Sequence, residues 1–374
     1  MSFSWIPANE GVLDLEEAVA PVFSVHEVES RAGGRIIVMK GRFLRSPEMV
    51  YEEVAAPLRA QGFVPVLRQE GGLDVLMAYP APGIRGATRP LLHLGLFVAT
   101  VLSTLWAGTL QSIGQVPTLT LFLRHWTEGL PFTIALLGIL GVHEFGHYFV
   151  ARRYGLDVTL PYFIPFPLNA YTGTLGAVIR IRSPFESRKA LFDVGIAGPL
   201  AGLAVAVPVV AMGLQRAELM TFSPRTDVLV FNEPLLFQWM ARAIVGERPP
   251  GTDILMNPLL MAGWLGFLIT AINLLPVSQL DGGHIAYSIL GRLYRPFAWA
   301  IFLAVVIVTV MRTQGFGLMA LFIFIMGIDH PPALNDLTRV GGRRVALGIL
   351  TLLLALTLVT LTPFETIPAA ASAP

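Results

Sequence analysis

Before residue 84, short apolar runs alternate with polar positions, a pattern typical of a small mixed domain. Extended runs predict strands at 22–30, 34–44, 63–69 and 73–80. One amphipathic helix lies between the second and third runs. Ser46 is suited to cap it, Pro47 and Glu48 fit its first turn, and Gly62 ends it. We therefore expect a soluble α+β domain over residues 1–83.

Beyond a Pro/Gly-rich linker at 84–91, the chain breaks into long uncharged runs, each close to the length that spans about 30 Å of hydrocarbon. The runs are 90–123, 129–142 with its extension, 194–215, 254–280, 296–311, 313–328 and 345–364. The fifth and sixth are short enough to be tilted or incomplete crossings. The pattern predicts a multi-span α-helical membrane domain over 92–364, with about six or seven transmembrane helices, followed by a tail at 365–374.

Composition supports the membrane assignment and removes several other classes. Apolar residues make up 54% of the chain and charged residues 14%, against about 25% charged in ordinary soluble proteins. The chain has no cysteine, which excludes disulfides, thiolate ligands and a cysteine nucleophile, so that a metal must be held by His, Asp or Glu. The net charge of +1 gives no reason to expect nucleic acid as a partner.

The start of the chain carries acidic residues and a proline where a secretory signal needs a basic start and an apolar run. We therefore expect the first domain to stay on the side where the chain is synthesised. Basic residues then concentrate on the inner side, among them Arg152 and Arg153, as the positive-inside rule requires. The prediction is a multi-pass protein of a prokaryotic plasma membrane with a cytoplasmic N-terminal domain.

The second apolar run contains HEFGH at 143–147. His143 and His147 are four residues apart, so both imidazoles point the same way on a helix and are able to bind one Zn²⁺. Glu144 lies beside that position as a possible general base. Ionisable groups inside an apolar span cost about 2.5–3.5 kcal/mol each on insertion, so a cluster of three indicates function.

A catalytic zinc site needs a third protein ligand and an open position. The ionisable candidates at membrane depth are Asp193, Asp281, His284, Asp329 and His330. Asp281 is favoured because it ends a long uncharged run and precedes two glycines, which permit close backbone approach. His284 is the second candidate, although a histidine at a helix end or supporting a ligand is the commoner case. The other three are more typical of helix ends.

Three segments, taken in order, resemble the site-2 proteases, a family of intramembrane zinc metalloproteases. They are HEFGH at 143–147, FDVGIAGPLAGL at 192–203 and AINLLPVSQLDGGH at 271–284. The resemblance covers residues 130–290 and implies zinc as the cofactor, with His143, His147 and Asp281 as its ligands. It also implies Glu144 as the catalytic carboxylate and Asn273 as a group that holds the scissile carbonyl or orients the substrate. By itself, Asn273 is explained equally well as an amide that joins two helices.

The resemblance further implies single-span membrane proteins as substrates, within a lipid bilayer. In the implied mechanism, Glu144 takes a proton from water activated by the metal, and the hydroxide attacks a peptide carbonyl. The soluble domain, KGRFL at 40–44 and HPPALND at 330–336 are similar to the cyanobacterial and plastid branch of the family.

Two connecting segments bear on substrate access. The stretch 160–182 has prolines, a turn around Asn169 to Gly176 and a β-prone end, which predicts a partly inserted hairpin whose edge is able to pair with an unwound substrate. Residues 233–246, in the outer loop 215–253, predict an amphipathic helix on the membrane surface. Gly198 and Gly202 form a small-residue face, for which helix packing is the expected role.

Three alternatives remain beside the site-2 protease hypothesis. A prenyl-protein type metalloprotease needs a downstream glutamate ligand, and only Glu233, Glu247 and Glu365 follow Glu218, all in loops or the tail. A metal transporter needs polar groups along a path, whereas the ionisable residues here concentrate at one depth. An inactive scaffold that recruits membrane proteins is the third alternative.

Overall fold

The computed structural model describes residues 15–32, 36–81, 89–167, 171–221, 228–312, 317–360 and 362–367. The predictions for the first residues, most of the linker 84–91, Asn169 and the end of the tail 365–374 lie outside this range. The chain forms two compact units. The first contains residues 1–86 together with 183–192 and 331–341, and the second contains the remainder.

The first unit is built on a four-stranded antiparallel sheet, as expected for an α+β domain. Its strands are β1 (Phe23–Arg31), β2 (Ile36–Phe43), β3 (Phe63–Glu70) and β4 (Leu73–Pro80), in the order β1-β2-β4-β3. Helix α1 (Pro47–Ala60) connects β2 to β3. Val54 and Leu58 of α1 belong to one buried cluster with Met39 and Leu76 of the central strands. This apolar cluster holds the helix and the sheet together.

The ends of α1 agree with the sequence prediction except at one cap. The helix begins at Pro47, directly after Ser46, but the Ser46 hydroxyl makes no capping hydrogen bond. Its backbone carbonyl accepts instead from the N–H groups of Met49 and Val50, so the predicted side-chain cap is wrong. At the other end Gly62 has φ +81°, a left-handed conformation in which glycine lacks the strain of a Cβ, and it ends the helix as predicted.

Two distant segments extend the edge of this sheet. The N–H of Leu67 in β3 donates to the carbonyl of Leu334 at 2.6 Å, and the N–H of Asp336 donates to the carbonyl of Leu67 at 3.1 Å. The N–H of Leu334 in turn donates to the carbonyl of Phe185 at 2.8 Å. Residues of the string HPPALND therefore belong to the first unit, although most of the chain separates them from β3 in sequence.

Helices dominate the rest of the chain. They are α2 (Pro90–Ile113), α3 (Leu119–His125), α4 (Leu130–Arg153), α5 (Arg188–Leu214), α6 (Leu235–Ile244), α7 (Pro258–Asn273), α8 (Asp281–Leu290), α9 (Tyr294–Arg312), α10 (Gly317–Met326) and α11 (Gly342–Leu358). Short strands form three antiparallel pairs: β5 (Tyr162–Pro165) with β6 (Thr174–Val178), β7 (Leu219–Thr221) with β9 (Thr252–Ile254), and β8 (Val228–Phe231) with β10 (Phe364–Ile367).

Four helical stretches of the described residues are long and apolar enough to cross a membrane: Pro90–Ile113, Leu119–Arg153, Arg188–Leu214 and Asp281–Met311. Helix α7 is apolar but has only 16 residues. The protein is thus a multi-span membrane protein with an α+β sheet region at its N-terminus.

The uncharged run 254–280 is not one continuous helix, as a single predicted span would require. Helix α7 ends at Asn273, and a turn precedes α8. Pro276 lacks the N–H that a continuing helix needs, and Ser278 has a left-handed φ of +58°. Within the run 313–328 the described helix covers only the 10 residues Gly317–Met326. Hydropathy detected the apolar run 254–280 but not the break within it.

The predicted hairpin at 160–182 is confirmed as a β-hairpin, formed by β5 and β6. It lies along α2. The ring nitrogen Nδ1 of His93, in the first turn of α2, lies 3.2 Å from the carbonyl oxygen of Pro161. Near the other end of α2, the Gln111 amide donates to the carbonyl of Tyr171 at 2.7 Å. Because 18 residues of helix rise about 27 Å, the hairpin follows α2 over most of its length.

The predicted amphipathic segment also forms a helix. Helix α6 covers Leu235–Ile244 and buries Phe237 and Ala241. Its place on a membrane surface stays a prediction.

Candidate metal centre

Three side chains from two helices converge inside the membrane unit. His143 and His147 lie on successive turns of α4, and Asp281 is the first residue of α8. Nε2 of His143 is 3.3 Å from Oδ2 of Asp281, and Nε2 of His147 is 3.2 Å from Oδ1 of the same carboxylate. The two Nε2 atoms are 3.2 Å apart. The structure therefore confirms that the three residues predicted from the sequence lie together in one cluster.

The donor set and its spacing fit zinc. A tetrahedral Zn²⁺ with bonds of about 2.0–2.1 Å holds its ligand atoms about 3.3–3.4 Å apart. The separation of 3.2 Å between the two Nε2 atoms is close to that value, and each Nε2 lies 3.2–3.3 Å from one oxygen of the Asp281 carboxylate. Two imidazoles and one carboxylate also leave a fourth position open, which is the composition of a catalytic rather than a structural zinc site.

Two glycines bring Asp281 into place. Directly after it, a Cβ on Gly282 would lie 2.1 Å from the carbonyl oxygen of Leu274, and a Cβ on Gly283 would lie 2.3 Å from that of Ser278. Only glycine fits against the turn that separates α7 from α8. The close backbone approach inferred from the sequence is therefore confirmed.

Helix α5 packs against the two histidines. Nδ1 of His147 lies 2.7 Å from the carbonyl oxygen of Val194, and because a carbonyl only accepts, Nδ1 carries the proton and Nε2 is left for a metal. A Cβ on Gly198 would lie 2.1 Å from Nε2 of His147, and one on Gly202 would lie 3.1 Å from Cβ of His143. The small-residue face predicted to pack helices therefore packs against the ligand histidines themselves.

Glu144 and Asn273 lie beside the cluster. Glu144 is buried, with 7% of its surface exposed, and its carboxylate lies near the backbone N–H of Ile179, just after β6. The amide nitrogen of Asn273, the last residue of α7, lies 3.4 Å from Nε2 of His143. Both residues are thus close enough to act on a peptide bound at the cluster, and their catalytic roles stay predictions.

The other ligand candidates lie outside the cluster. Nδ1 of His284 is 2.6 Å from Nε2 of His330. Asp193 accepts two hydrogen bonds from Arg344, each 2.8 Å long. Asp329 is 3.4 Å from Arg295.

Sequence reasoning missed two polar groups at the site, the Val194 carbonyl and the Ile179 N–H. Both belong to the backbone, so no residue type signals them. Their positions depend on how α5 and the hairpin pack against α4.

Comparisons with known proteins agree with this arrangement. The model of peptidase family M50 matches residues 131–312, which contain all three cluster residues. The probable zinc metalloprotease EGY2, chloroplastic, of Arabidopsis thaliana is 32% identical over 272 residues, covering 68% of this chain and 48% of that protein. The probable zinc metalloprotease EGY1, chloroplastic, of Oryza sativa subsp. japonica is 30% identical over 315 residues, covering 75% and 52%.

The probable zinc metalloprotease EGY1, chloroplastic, of Arabidopsis thaliana is 30% identical over 305 residues, covering 74% of this chain and 54% of that protein. The chain thus spans about half the length of these curated relatives. No solved structure matches it. The matched family and the His143, His147 and Asp281 cluster show that the chain belongs to peptidase family M50, the site-2 protease family.

Proposed function

We propose that the protein is an intramembrane zinc metallopeptidase, which hydrolyses a peptide bond within or next to a transmembrane segment of single-span membrane proteins. The observation that carries this proposal is the convergence of His143, His147 and Asp281, with Glu144 buried beside them. Ionisable groups placed together in apolar helices are costly, and a bound metal is the compensation that this donor set favours.

His143, His147 and Asp281 would hold one zinc ion, which when bound polarises a peptide carbonyl and makes water more acidic. Glu144 accepts a proton from the attacking water and passes it to the leaving amine. The Ile179 N–H, near the Glu144 carboxylate, orients it. Asn273 donates its amide N–H to the scissile carbonyl.

Strand addition is the proposed way of presenting a substrate. A helical substrate hides its peptide bonds, so it must unwind before attack. Strand β6 pairs with β5 and leads directly to Ile179, beside Glu144. Leu175 and Val178 of β6 are 64% and 49% exposed, which leaves apolar side chains available to an added strand.

We propose six or seven membrane crossings, with the N-terminal domain in the cytoplasm of a prokaryotic cell. The four long candidates account for four crossings, while α7 and α11 are close to the shortest helices that span a bilayer. Topology reporters fused after residue 86 and after residue 364 test this proposal. A cytoplasmic signal after residue 86 supports the orientation, and an external one contradicts it.

Purified protein in detergent or nanodiscs tests the enzymatic proposal. We expect about one zinc per chain by elemental analysis, and cleavage of a model single-span substrate inside its hydrophobic segment. Removing the metal with a chelator should abolish cleavage, and added Zn²⁺ should restore it. Zinc transport into vesicles without cleavage would favour a transporter, and bound zinc with neither activity would favour a scaffold.

A further inference from the structure

We propose that Tyr154, Asp193 and Arg344 form a polar clamp that positions His147 as a metal ligand. The inference rests on the proposed function, because it assigns supporting residues to the same site. None of the three touches the cluster, so each acts through the helices that it holds.

The clamp joins the ends of three helices. Nε of Arg344 donates to Oδ1 of Asp193 and Nη2 donates to Oδ2, each at 2.8 Å, which makes the pair bidentate. The Tyr154 hydroxyl donates to Oδ2 of the same carboxylate. Tyr154 follows α4, Asp193 lies in α5 and Arg344 lies in the first turn of α11. Three donors on one carboxylate fix both its position and its orientation.

One residue of the clamp, Asp193, is adjacent in sequence to a residue whose backbone contacts His147. Val194, the neighbour of Asp193, accepts the hydrogen bond from Nδ1 of His147 at 2.7 Å. Tyr154 follows His147 by seven residues, about two helical turns, and so continues the same face of α4. The clamp and the His147 hydrogen bond therefore join α4 to α5 at two successive levels.

Glycines bring α4 and α5 into close contact. A Cβ on Gly146 would lie 2.8 Å from the carbonyl oxygen of Ala197, and one on Gly198 would lie 2.1 Å from the His147 ring. Small residues let two helices approach closely, but they supply few interlocking side chains that resist sliding along the helix axis. The Tyr154 hydroxyl crosses this interface to Asp193, and the bidentate pair with Arg344 holds that carboxylate in place. Together they fix the register of α4 against α5, and with it the Val194 carbonyl that orients His147.

Loss of the clamp should loosen the metal and slow the reaction without weakening substrate binding. Outer contacts of metal ligands contribute about 10- to 100-fold to metal affinity or activity, and this contact acts through one backbone residue, so we expect about a tenfold effect. Arg344→Met should lose zinc to a chelator about ten times faster than wild type and lower kcat about tenfold with KM unchanged. Tyr154→Phe, which removes one hydroxyl, should change both in the same direction, and Arg344→Lys should restore part of each.

Two controls separate positioning from general stability. Arg343→Met changes the exposed neighbour in the same turn of α11. Arg248→Met breaks another bidentate pair, with Glu233 at 2.8 and 2.7 Å, which has no link to the ligands through a neighbouring residue. Both should keep the zinc release rate of wild type, even if Arg248→Met lowers the unfolding temperature.

The absorption spectrum of the cobalt-substituted protein gives a readout independent of turnover. A shifted cobalt spectrum and faster zinc release in Arg344→Met and Tyr154→Phe, but not in the controls, support the clamp. Wild-type spectra and release rates in both clamp variants overturn it, as does equally fast release from Arg248→Met. Failure of wild type itself to bind zinc or to cleave would instead contradict the proposed function.

Discussion

The ion pairs on the surface of the N-terminal sheet differ from the ionisable cluster between α4 and α8 in their exposure to solvent. Arg45 and Glu53 form a pair whose side chains are 50% and 47% exposed. Asp281 is 14% exposed and lies against two histidines that are 6% and 8% exposed. A charged side chain in water carries little energetic cost. In an apolar span a charged side chain is retained only where it binds a ligand or pairs with another group. A change of charge should therefore have a small effect at an exposed pair of the sheet and a large effect at the buried cluster.

The largest effect is expected from removing the carboxylate of the cluster. Asp281→Ala leaves two imidazoles, which do not complete a three-ligand site, so zinc content should fall below about 0.1 per chain and cleavage should be undetectable. Elemental analysis and a single-span substrate measure both. Asp329→Ala, which removes an exposed carboxylate paired with Arg295, is the matched control and should retain zinc and activity.

The addition of a single methyl group at Gly198 should have the next largest effect. Gly198→Ala places a Cβ about where the His147 ring lies, so the ring must move, and we expect about a hundredfold loss of kcat/KM. Gly138→Ala on α4 meets no atom within 4 Å and serves as the control. Equal activity of the two variants would show that the close contact at Gly198 does not matter.

The exposed edge of β6 should give a smaller effect, on substrate binding. Leu175→Asn removes an apolar contact with an added strand, and cross-strand pairs contribute about 0.2–1 kcal/mol, so KM should rise about two- to fivefold with kcat unchanged. Leu160→Asn, at an exposed leucine just before the hairpin, should leave KM unchanged. A rise in KM for both variants would contradict the role of β6.

The smallest effect is expected at the surface of the sheet. Arg45→Ala removes the exposed partner of Glu53, and such pairs contribute about 0.2–1 kcal/mol. Chemical unfolding should show a decrease of that size in the free energy of unfolding of the N-terminal unit, while zinc content and cleavage stay unchanged. Loss of zinc from this variant would break the contrast between the two units.

Local pattern was enough to predict the four strands, α1 and the three cluster residues. Each depends on signals within a few residues, such as the spacing of His143 and His147 or the glycines after Asp281. Features set by distant packing were missed. Nothing near Leu334 indicates that it pairs with Leu67, and hydropathy does not reveal the break that Pro276 and Ser278 make between α7 and α8.

Replacing Glu144 by glutamine tests the central proposal most directly, because the change removes the proton acceptor and leaves the three zinc ligands in place. We expect E144Q to contain about one zinc per chain, as wild type does, and to bind a single-span substrate. Its cleavage rate should fall by at least about a hundredfold, since general base catalysis contributes about 10²–10⁴-fold. Zinc-loaded E144Q that cleaves the substrate at the wild-type rate would contradict the assignment of Glu144 and, with it, the proposed mechanism.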